Sequence, residues 1–273
     1  MSMPVPPFAP SHSPLPGGRG CLLALDTATE TVHLAVWGAD LAPPAHVAAL
    51  AGGAQASSSA LPGLQTLLNE AGCHWRDVQA VAFGQGPGAF TGLRTACSLA
   101  QGLALALEVP VLPIDTLMAV AESARRRAEP LSAWLAPSPG QDTPDHAHCL
   151  WVLQDARMQE VYAAAYRWSV AEGWQVVVPA ALWSLDEMQH RIQCGQVTYA
   201  AGSALAAYPS HVQGLVHADA QAAPDGAALA ALASRAWSCG QGVDAALALP
   251  VYVRDKVAQT TAERSLARQV SAP

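Results

Sequence analysis

The chain has 273 residues, of which 51% are hydrophobic and 13% charged, and its formal net charge is −7 at pH 7. Fourteen residues are cationic, and the single lysine among them, Lys256, lies in the segment VYVRDKVA, which is neither a glycine-rich loop nor an apolar pocket. P-loop NTPases and Schiff-base enzymes are therefore excluded, because each needs a lysine in one of those settings. The apolar fraction is sufficient for the core of one large domain or two smaller ones.

The charge and cysteine patterns indicate the kind of partner and compartment. No basic run exceeds Arg125–Arg127, whereas nucleic-acid surfaces need clustered cations, so we expect any nucleic acid to be held by a partner. Six cysteines without a CxxC pair favour reduced thiols in a cytoplasmic protein. The most apolar stretch, 96–114, is interrupted by Gln101, Glu108 and two prolines, which makes it a poor membrane span.

The first half of the chain predicts a strand hairpin followed by alternating helices and strands. Residues 1–20 hold six of the 21 prolines and are predicted to be a disordered leader. In chain order we then expect strands at 21–27, 31–38 and 46–50, a helix at 57–72, a strand at 79–83, a glycine-rich turn at 84–92, a helix at 91–107 capped by Thr91, a strand at 109–114 and a helix at 116–128.

The second half repeats this layout. After a segment rich in proline, serine and aspartate at 129–148, we expect strands at 149–156, 160–168, 175–178 and 197–202, with helices at 186–193 and 225–240. Asp26 and Asp155 each precede a valine six residues further on, at the end of a predicted first strand. The repeat predicts an α/β protein with duplicated ββαβα domains, whereas a Rossmann fold would begin with strand, glycine turn and helix.

The domain boundaries follow from that repeat. We expect a first domain at 21–117, a second domain at 118–257 that contains the insertion 129–148, and a tail at 258–273. The last helix of the second domain could pack back onto the first domain.

The glycine-rich turn GQGPGAFTG is the most distinctive segment and allows two interpretations. Gly84, Gly86 and Gly88 permit close approaches that a Cβ would block, which suits either a crowded connection or an anion site at the start of the next helix. The turn also matches a loose GxGxxA pattern, with Asp115 after the next strand, so a dinucleotide-dependent enzyme is one alternative. Pro87 and the preceding hairpin argue against that alternative.

The helix predicted at 91–107 is apolar around most of its circumference. Such a helix must be covered on more than one side, either by its own domain or by another chain. Its many small residues would allow a second helix to approach closely.

Four segments carry a resemblance to a known family: LLALDTATETVHLAV, VAFGQGPGAFTGLRTACSLAQGLA, LQDARMQEVYAA and PVYVRDKVA. From about 21 to 257 the chain resembles the TsaB (YeaZ) family, the bacterial accessory subunit in threonylcarbamoyl-adenosine synthesis on tRNA. The resemblance implies an actin-like (ASKHA), ribonuclease H-like duplicated fold. It also implies partnership with the paralogous transferase TsaD and the ATPase TsaE, or a homodimer, with tRNA bound only through the complex.

The resemblance further implies that the helices at 57–72 and 91–107 form the partner interface. The candidate interface residues are Leu61, Leu64, Leu68, Arg94, Cys97, Ala100 and Ala104. Arg254, in the terminal signature, is a further candidate for an interaction with a carboxylate or phosphate.

The resemblance also locates the expected nucleotide site, and this sequence departs from it. In the actin-like fold two hairpin turns of the form D-x-G-[TS] wrap the phosphates, but here Ala28 and Arg157 replace the glycines, and the glycine pair around the adenosine is reduced to Gly202–Ser203. Residual candidates for nucleotide or anion contact are Asp26, Thr27, Gly86, Gly88, Thr91 and Arg157.

We therefore predict no catalytic residue and no cofactor in the isolated chain, with ATP or ADP and a metal in the partner subunits. TsaD-like proteins carry a His-x-x-x-His metal pair, and none of the nine histidines has that spacing; HExxH and GxSxG are also absent. The sequence predicts a non-catalytic scaffold that activates a TsaD-type transferase. The main alternative is an active actin-like ATP-dependent transferase or kinase.

Overall fold

The computed structural model describes residues 20–38, 46–127 and 149–254. The predictions for the leader before Gly20, for the insertion 129–148 and for the tail 258–273 lie outside these residues.

The described residues of the first half form five strands and three α-helices. They are β1 Cys21–Asp26, β2 Thr31–Gly38, β3 His46–Ala51, α1 Ala56–Glu70, β4 Val78–Gly86, α2 Phe90–Leu107, β5 Val111–Asp115 and α3 Thr116–Arg127. The second half contains β6 Leu150–Asp155, β7 Glu160–Ser169, β8 Gly173–Ser184, α4 Leu185–Gln193, β9 Tyr199–Ala201, α5 Ala204–Ala207, β10 His217–Asp219 and α6 Gly226–Ser238. Among the described residues no helix is long and apolar enough to cross a membrane.

The two sheets have the same strand order. The first runs β3-β2-β1-β4-β5 and the second runs β8-β7-β6-β9-β10. In the first sheet β2 pairs antiparallel with both β1 and β3, and β4 pairs parallel with β1. In the second sheet β7 likewise pairs antiparallel with both β6 and β8, and β9 pairs parallel with β6. The predicted duplicated α/β fold is confirmed.

Four apolar clusters hold the sheets and helices together. One face of the first sheet is covered by α1 and α2, and its other face by α6 with Ala119 of α3. One face of the second sheet is covered by α3 and its other face by α4. Since α3 contacts both sheets and α6 crosses from the second half onto the first sheet, these two helices fasten the halves to each other.

Two local predictions are corrected. The predicted cap Thr91 lies inside the first turn of α2, because the helix begins at Phe90 and its N-cap residue is Ala89, which has no capping side chain. The strand predicted at 175–178 extends over Gly173–Ser184, because β8 follows β7 along its whole length, with two irregularities in register.

Candidate functional site

The glycine-rich turn is filled by the chain's own first hairpin turn. A Cβ at Gly84 would overlap the Asp26 carboxylate, and a Cβ at Gly92 would overlap the carbonyl oxygen of Thr27. At Gly88 a Cβ would lie 2.6 Å from the Cβ of Ala28. The close approach that these glycines permit is therefore an approach of residues 26–28, which supports the crowded-connection interpretation.

Hydrogen bonds fix this contact. The Ala89 N–H donates to the carbonyl oxygen of Ala28 at 2.8 Å, and the Thr27 hydroxyl donates to the carbonyl oxygen of Gly92 at 2.6 Å. From another side the Val251 N–H donates to the carbonyl oxygen of Gln85 at 2.7 Å. The Ala89 N–H, a donor of the kind that a phosphate would contact, is thus already used within the chain, and the first hairpin turn is held against the glycine-rich turn.

Asp26 is the centre of this arrangement and is fully buried. Its Oδ1 accepts from the Ala28 N–H at 2.7 Å and its Oδ2 accepts from the Thr116 hydroxyl at 2.8 Å, while the Gly86 N–H donates to the same Thr116 oxygen at 3.1 Å. Burial raises the pKa of Asp26, although the two hydrogen bonds act in the opposite direction. Asp26 therefore joins the end of β1, the glycine-rich turn and the start of α3.

Asp115 performs a similar task between the two halves. Its Oδ1 accepts from the N–H groups of Leu117 at 2.8 Å and Met118 at 3.2 Å, which caps the start of α3. Its Oδ2 accepts from the Tyr166 hydroxyl of β7 at 2.7 Å. Both carboxylate oxygens of Asp115 thus have partners within the chain, and β1 pairs antiparallel with β2, unlike the first two strands of a Rossmann fold. Both observations argue against the dinucleotide alternative.

The second hairpin turn has an unusual backbone. Arg157, Met158 and Gln159 are consecutive residues with positive φ angles of 64°, 56° and 60°. Left-handed conformations cost non-glycine residues free energy, so the surroundings must hold this turn. Arg254 does so by donating from Nη2 to the carbonyl oxygen of Ala156 at 2.9 Å and to the Glu160 carboxylate.

The two hairpin turns face each other across the junction between the halves. Nη2 of Arg157 lies 3.4 Å from the Glu30 carboxylate, and both side chains are largely exposed. The same guanidinium lies 3.4 Å from Asp155, whose Oδ1 accepts from the Tyr208 hydroxyl at 2.9 Å. An exposed ion pair contributes little stability, but its position shows that the two turns lie next to each other.

The residues at the predicted adenosine position are also packed against their own domain. Gly202 has a φ of +122°, and a Cβ there would lie 2.5 Å from the carbonyl oxygen of Leu153. The Ser203 hydroxyl accepts from the Asp155 N–H at 3.0 Å.

Of the six candidates for nucleotide or anion contact, four are packed into the junction between the first hairpin turn and the glycine-rich turn. Asp26 and Thr27 are buried, the Gly86 N–H is used by Thr116, and Gly88 lies against Ala28. Only the side chains of Thr91 and Arg157 among these candidates are exposed. In the described part of the chain no group of three or more potential metal ligands is close enough to hold a metal ion.

The predicted interface residues fall into two groups, and one prediction needs correction. The side chains that lie in the core of the first domain are Leu64, Leu68, Cys97, Ala100 and Ala104. They cover the first sheet, so they are not surface residues available to a partner. Leu61 is 40% exposed and Arg94 is also exposed, so only these two of the seven lie on the surface.

Besides Leu61 and Arg94, the outer face of α1 and α2 consists of residues that are not among the predicted interface residues. Those with exposed positions include Thr66, Ser98, Gly102 and Leu105, and Leu105 is 75% exposed. Within the two helices the only charged residues are Glu70, at the end of α1, and Arg94, near the start of α2. The hydrophobic pattern identified the helices, but their small residues made the buried and exposed faces hard to distinguish from sequence.

The C-terminal strap, residues 245–254, lies along α2. The carbonyl oxygen of Ala248 accepts from the Gln101 side chain at 2.9 Å and from the Cys97 thiol at 3.1 Å. At its far end the Tyr252 hydroxyl accepts from Nε of Arg94 at 3.1 Å, and the tyrosine ring packs 5.2 Å from that of Phe90. Tyr252 is not among the predicted site residues, although it belongs to the terminal motif PVYVRDKVA.

Two halves of equal strand order, with facing hairpin turns at their junction, define the class of protein: an actin-like α/β protein. A family model described as "TsaD: tRNA N6-adenosine threonylcarbamoyltransferase" matches residues 53–207. The tRNA threonylcarbamoyladenosine biosynthesis protein TsaB of Escherichia coli (strain K12) is 31% identical over 248 residues, which cover 87% of this chain and 96% of that protein.

Solved structures agree with this assignment. A Pseudomonas aeruginosa protein described as similar to the peptidase YEAZ has a TM-score of 0.70 at 32% identity. The match covers 86% of this chain and 100% of the Pseudomonas chain. YeaZ from Pseudomonas aeruginosa has a TM-score of 0.67 at 32% identity, covering 85% of this chain and 99% of that chain. The chain belongs to the TsaB (YeaZ) family.

Proposed function

We propose that this protein is a non-catalytic scaffold that binds and activates a TsaD-type transferase, together with a TsaE-type ATPase, for N6-threonylcarbamoyladenosine formation on tRNA. One observation carries the non-catalytic part of the proposal. Thr27 and Ala28 occupy the space that the glycine-rich turn would offer to a phosphate, and they are hydrogen-bonded there. ATP and a metal then belong to the partner subunits.

The outer face of α1 and α2, whose only charged residues are Glu70 and Arg94, supports the scaffold part of the proposal. A helix pair that presents Leu61, Ser98, Gly102 and Leu105 without charges between them allows another helix pair to approach closely. The match to the transferase family model indicates that the partner is built on a related fold, so equivalent helices of the two proteins can pack against each other. A second copy of this chain could use the same face, giving a homodimer in the absence of the transferase.

Gly102 allows a clean test of this face. Apart from its chain neighbours and the backbone of its own helix, a Cβ at Gly102 would meet no atom within 4 Å, so Gly102→Glu places a charge on the outer face without disturbing the core. We expect Gly102→Glu to reduce co-purification with a TsaD-type subunit, while Gly102→Ala, which adds a methyl group without charge, retains it. Unchanged pairing of a folded Gly102→Glu variant would contradict the interface.

A reconstituted reaction tests the function itself. We expect tRNA modification by a TsaD-type subunit and a TsaE-type ATPase to depend on this chain, and we expect the isolated chain to show no ATP turnover. ATP binding with turnover by the chain alone would instead support the alternative of an actin-like ATP-dependent transferase or kinase.

A further inference from the structure

The guanidinium of Arg94 is held in place by two aromatic side chains. Its Cζ lies 3.9 Å from the centroid of the Phe90 ring, one helical turn earlier in α2, and its Nε donates to the Tyr252 hydroxyl at 3.1 Å. The two aromatic rings pack against each other with their centroids 5.2 Å apart. Because the side chain is already fixed on the protein surface, it loses little further conformational freedom when another molecule binds it.

Both aromatic residues belong to segments that are anchored to the first domain. In the C-terminal strap the Val251 N–H donates to the carbonyl oxygen of Gln85 at 2.7 Å, and the carbonyl oxygen of Ala248 accepts from the Gln101 side chain at 2.9 Å. Phe90 is the first residue of α2, whose inner face lies in the core of that domain. The position of the guanidinium is therefore set by α2 and the strap together.

The outer edge of this guanidinium is open. In the described residues Arg94 has no carboxylate partner, and its Nη1 and Nη2 donate no hydrogen bond there. Since Tyr252 uses Nε and Phe90 covers one face, the remaining binding edge is the one formed by Nη1 and Nη2. Two parallel N–H donors of this kind match the two oxygens of a carboxylate.

The surface next to Arg94 is mostly apolar. Along α2 the exposed residues Ser98, Gly102 and Leu105 follow Arg94 at intervals of three or four, so the four residues form one stripe with the charge at its start. The strap, which lies along the same helix, exposes further apolar side chains, those of Leu249, Val251 and Tyr252. An arginine and a tyrosine within an apolar surface are the residues that most often anchor protein interfaces.

The charges of this region favour a protein over a nucleic acid as the occupant. Within α1, α2 and the described strap the only cation besides Arg94 is Arg254, and its side chain is bound to Glu160 and to the second hairpin turn. Phosphate backbones are bound by clustered cations, whereas a single fixed guanidinium suits a single carboxylate.

We propose that Arg94 is the carboxylate-binding anchor of the interface with a TsaD-type subunit, and that Tyr252 is its positioning residue. The occupant of the stripe is a helix of that subunit with an apolar face and an aspartate or glutamate at the end that meets the start of α2. Its carboxylate accepts from Nη1 and Nη2 of Arg94. This inference rests on the proposed function, because it concerns the same face of the molecule.

The affinity of the full-length protein for a TsaD-type subunit tests the anchor. Arg94→Ala should weaken binding at least about tenfold, as expected for an interface anchor. Arg94→Lys should recover only part of this loss, since an ammonium does not present the planar fork. Added salt should weaken binding of the wild type more than binding of Arg94→Ala. The matched control is Arg126→Ala, which removes an exposed arginine at the end of α3 and should bind like the wild type.

The role of Tyr252 is tested separately. Tyr252→Phe keeps the aromatic ring and removes only the hydroxyl that accepts from Nε of Arg94. We expect it to weaken binding by about two- to tenfold, the equivalent of one hydrogen bond, and to have no further effect in the Arg94→Ala background. A purely structural role of the hydroxyl would give the same loss in both backgrounds.

Three results would overturn the inference and leave the proposed function standing: unchanged affinity in Arg94→Ala, full recovery in Arg94→Lys, or equal effects of Tyr252→Phe in both backgrounds. Two others would overturn it by indicating a different occupant. If Arg94→Ala weakened only tRNA binding by the assembled subunits, the ligand would be a phosphate; if it weakened only self-association of this chain, the occupant would be a second copy. If the wild type did not bind the TsaD-type subunit, this inference and the proposed function would both fail.

Discussion

Tyr166 of the second half donates a hydrogen bond of 2.7 Å to Asp115 of the first half. Tyr166 is fully buried, and burial together with the nearby carboxylate raises its pKa well above the usual range. The tyrosine therefore stays protonated, and its hydroxyl remains a donor to the carboxylate that caps α3. One bond thus connects the second sheet, the end of β5 and the helix between the halves.

Replacing Tyr166 by phenylalanine should destabilise the protein. The Asp115 carboxylate would lose a partner in a buried position, which costs about 1–3 kcal/mol. We expect the midpoint of urea unfolding to fall while the helix content in circular dichroism stays native. The exposed tyrosine Tyr252 supplies a control, and Tyr252→Phe should change the unfolding midpoint less than Tyr166→Phe does.

The buried Asp26 should give an unusual dependence of stability on pH. Its pKa is raised above 3.8 in the folded protein by burial, so between 3.8 and the folded pKa the native state binds a proton that the unfolded chain does not. Stability contributed by this group therefore falls as pH rises through that interval, by at most about 1.4 kcal/mol per pH unit, and then becomes constant.

Asp26→Asn removes this titration while keeping the shape of the side chain. Above pH 3.8 we expect the stability of the variant to increase relative to that of the wild type. The reason is that only the wild type has a carboxyl group at position 26, and its ionisation in the buried site lowers the stability of the wild type. Urea unfolding at several pH values measures this difference. A difference that is independent of pH, or that decreases as pH rises, would show that Asp26 does not have a raised pKa.

Alanine substitutions should distinguish Gly84, where the space for a Cβ is occupied, from Gly102, where that space is open. Gly84→Ala drives a methyl group into the Asp26 carboxylate, and overpacking of this kind costs about 1–3 kcal/mol or more. Gly102→Ala meets no neighbour and lies within α2, where alanine is about 1 kcal/mol better than glycine. Thermal unfolding should therefore show a lower midpoint for Gly84→Ala and a higher one for Gly102→Ala.

Arg254 should matter far more for stability than Arg157. Its side chain is only 15% exposed and binds the left-handed turn through Ala156 and Glu160, so Arg254→Ala should cost about 1.5–3 kcal/mol, the range for hydrogen bonds to charged groups. Arg254→Lys should restore little, because an ammonium cannot reproduce the planar fork. Arg157→Ala, which removes an exposed pair, should cost no more than about 1 kcal/mol in the same unfolding measurement.

Much of the fold was predictable from local pattern. The apolar run CLLALD and its partner TVHLAVWG specify adjacent strands, and the glycine-rich turn between a strand and a helix was recognised. The start of α2 was misplaced because its N-cap, Ala89, carries no capping side chain that a sequence signal could reveal. The resemblance indicated which helices would form the partner interface, but five of the seven residues predicted there lie on the inner face, because alanines and leucines occur on both sides of α1 and α2 and their pattern does not separate the two faces.

The amino-acid sequence by itself determined the duplicated layout and the family, because both depend on periodicity and on local motifs that are read along the chain. Only the tertiary structure decided what the glycines are for, since their neighbours Asp26, Thr27 and Ala28 are more than 50 residues away in sequence. The same holds for the C-terminal strap, where Ala248 meets Gln101 across 147 positions. Contacts of this kind arise from packing between distant segments, and a local pattern does not specify which segments will meet.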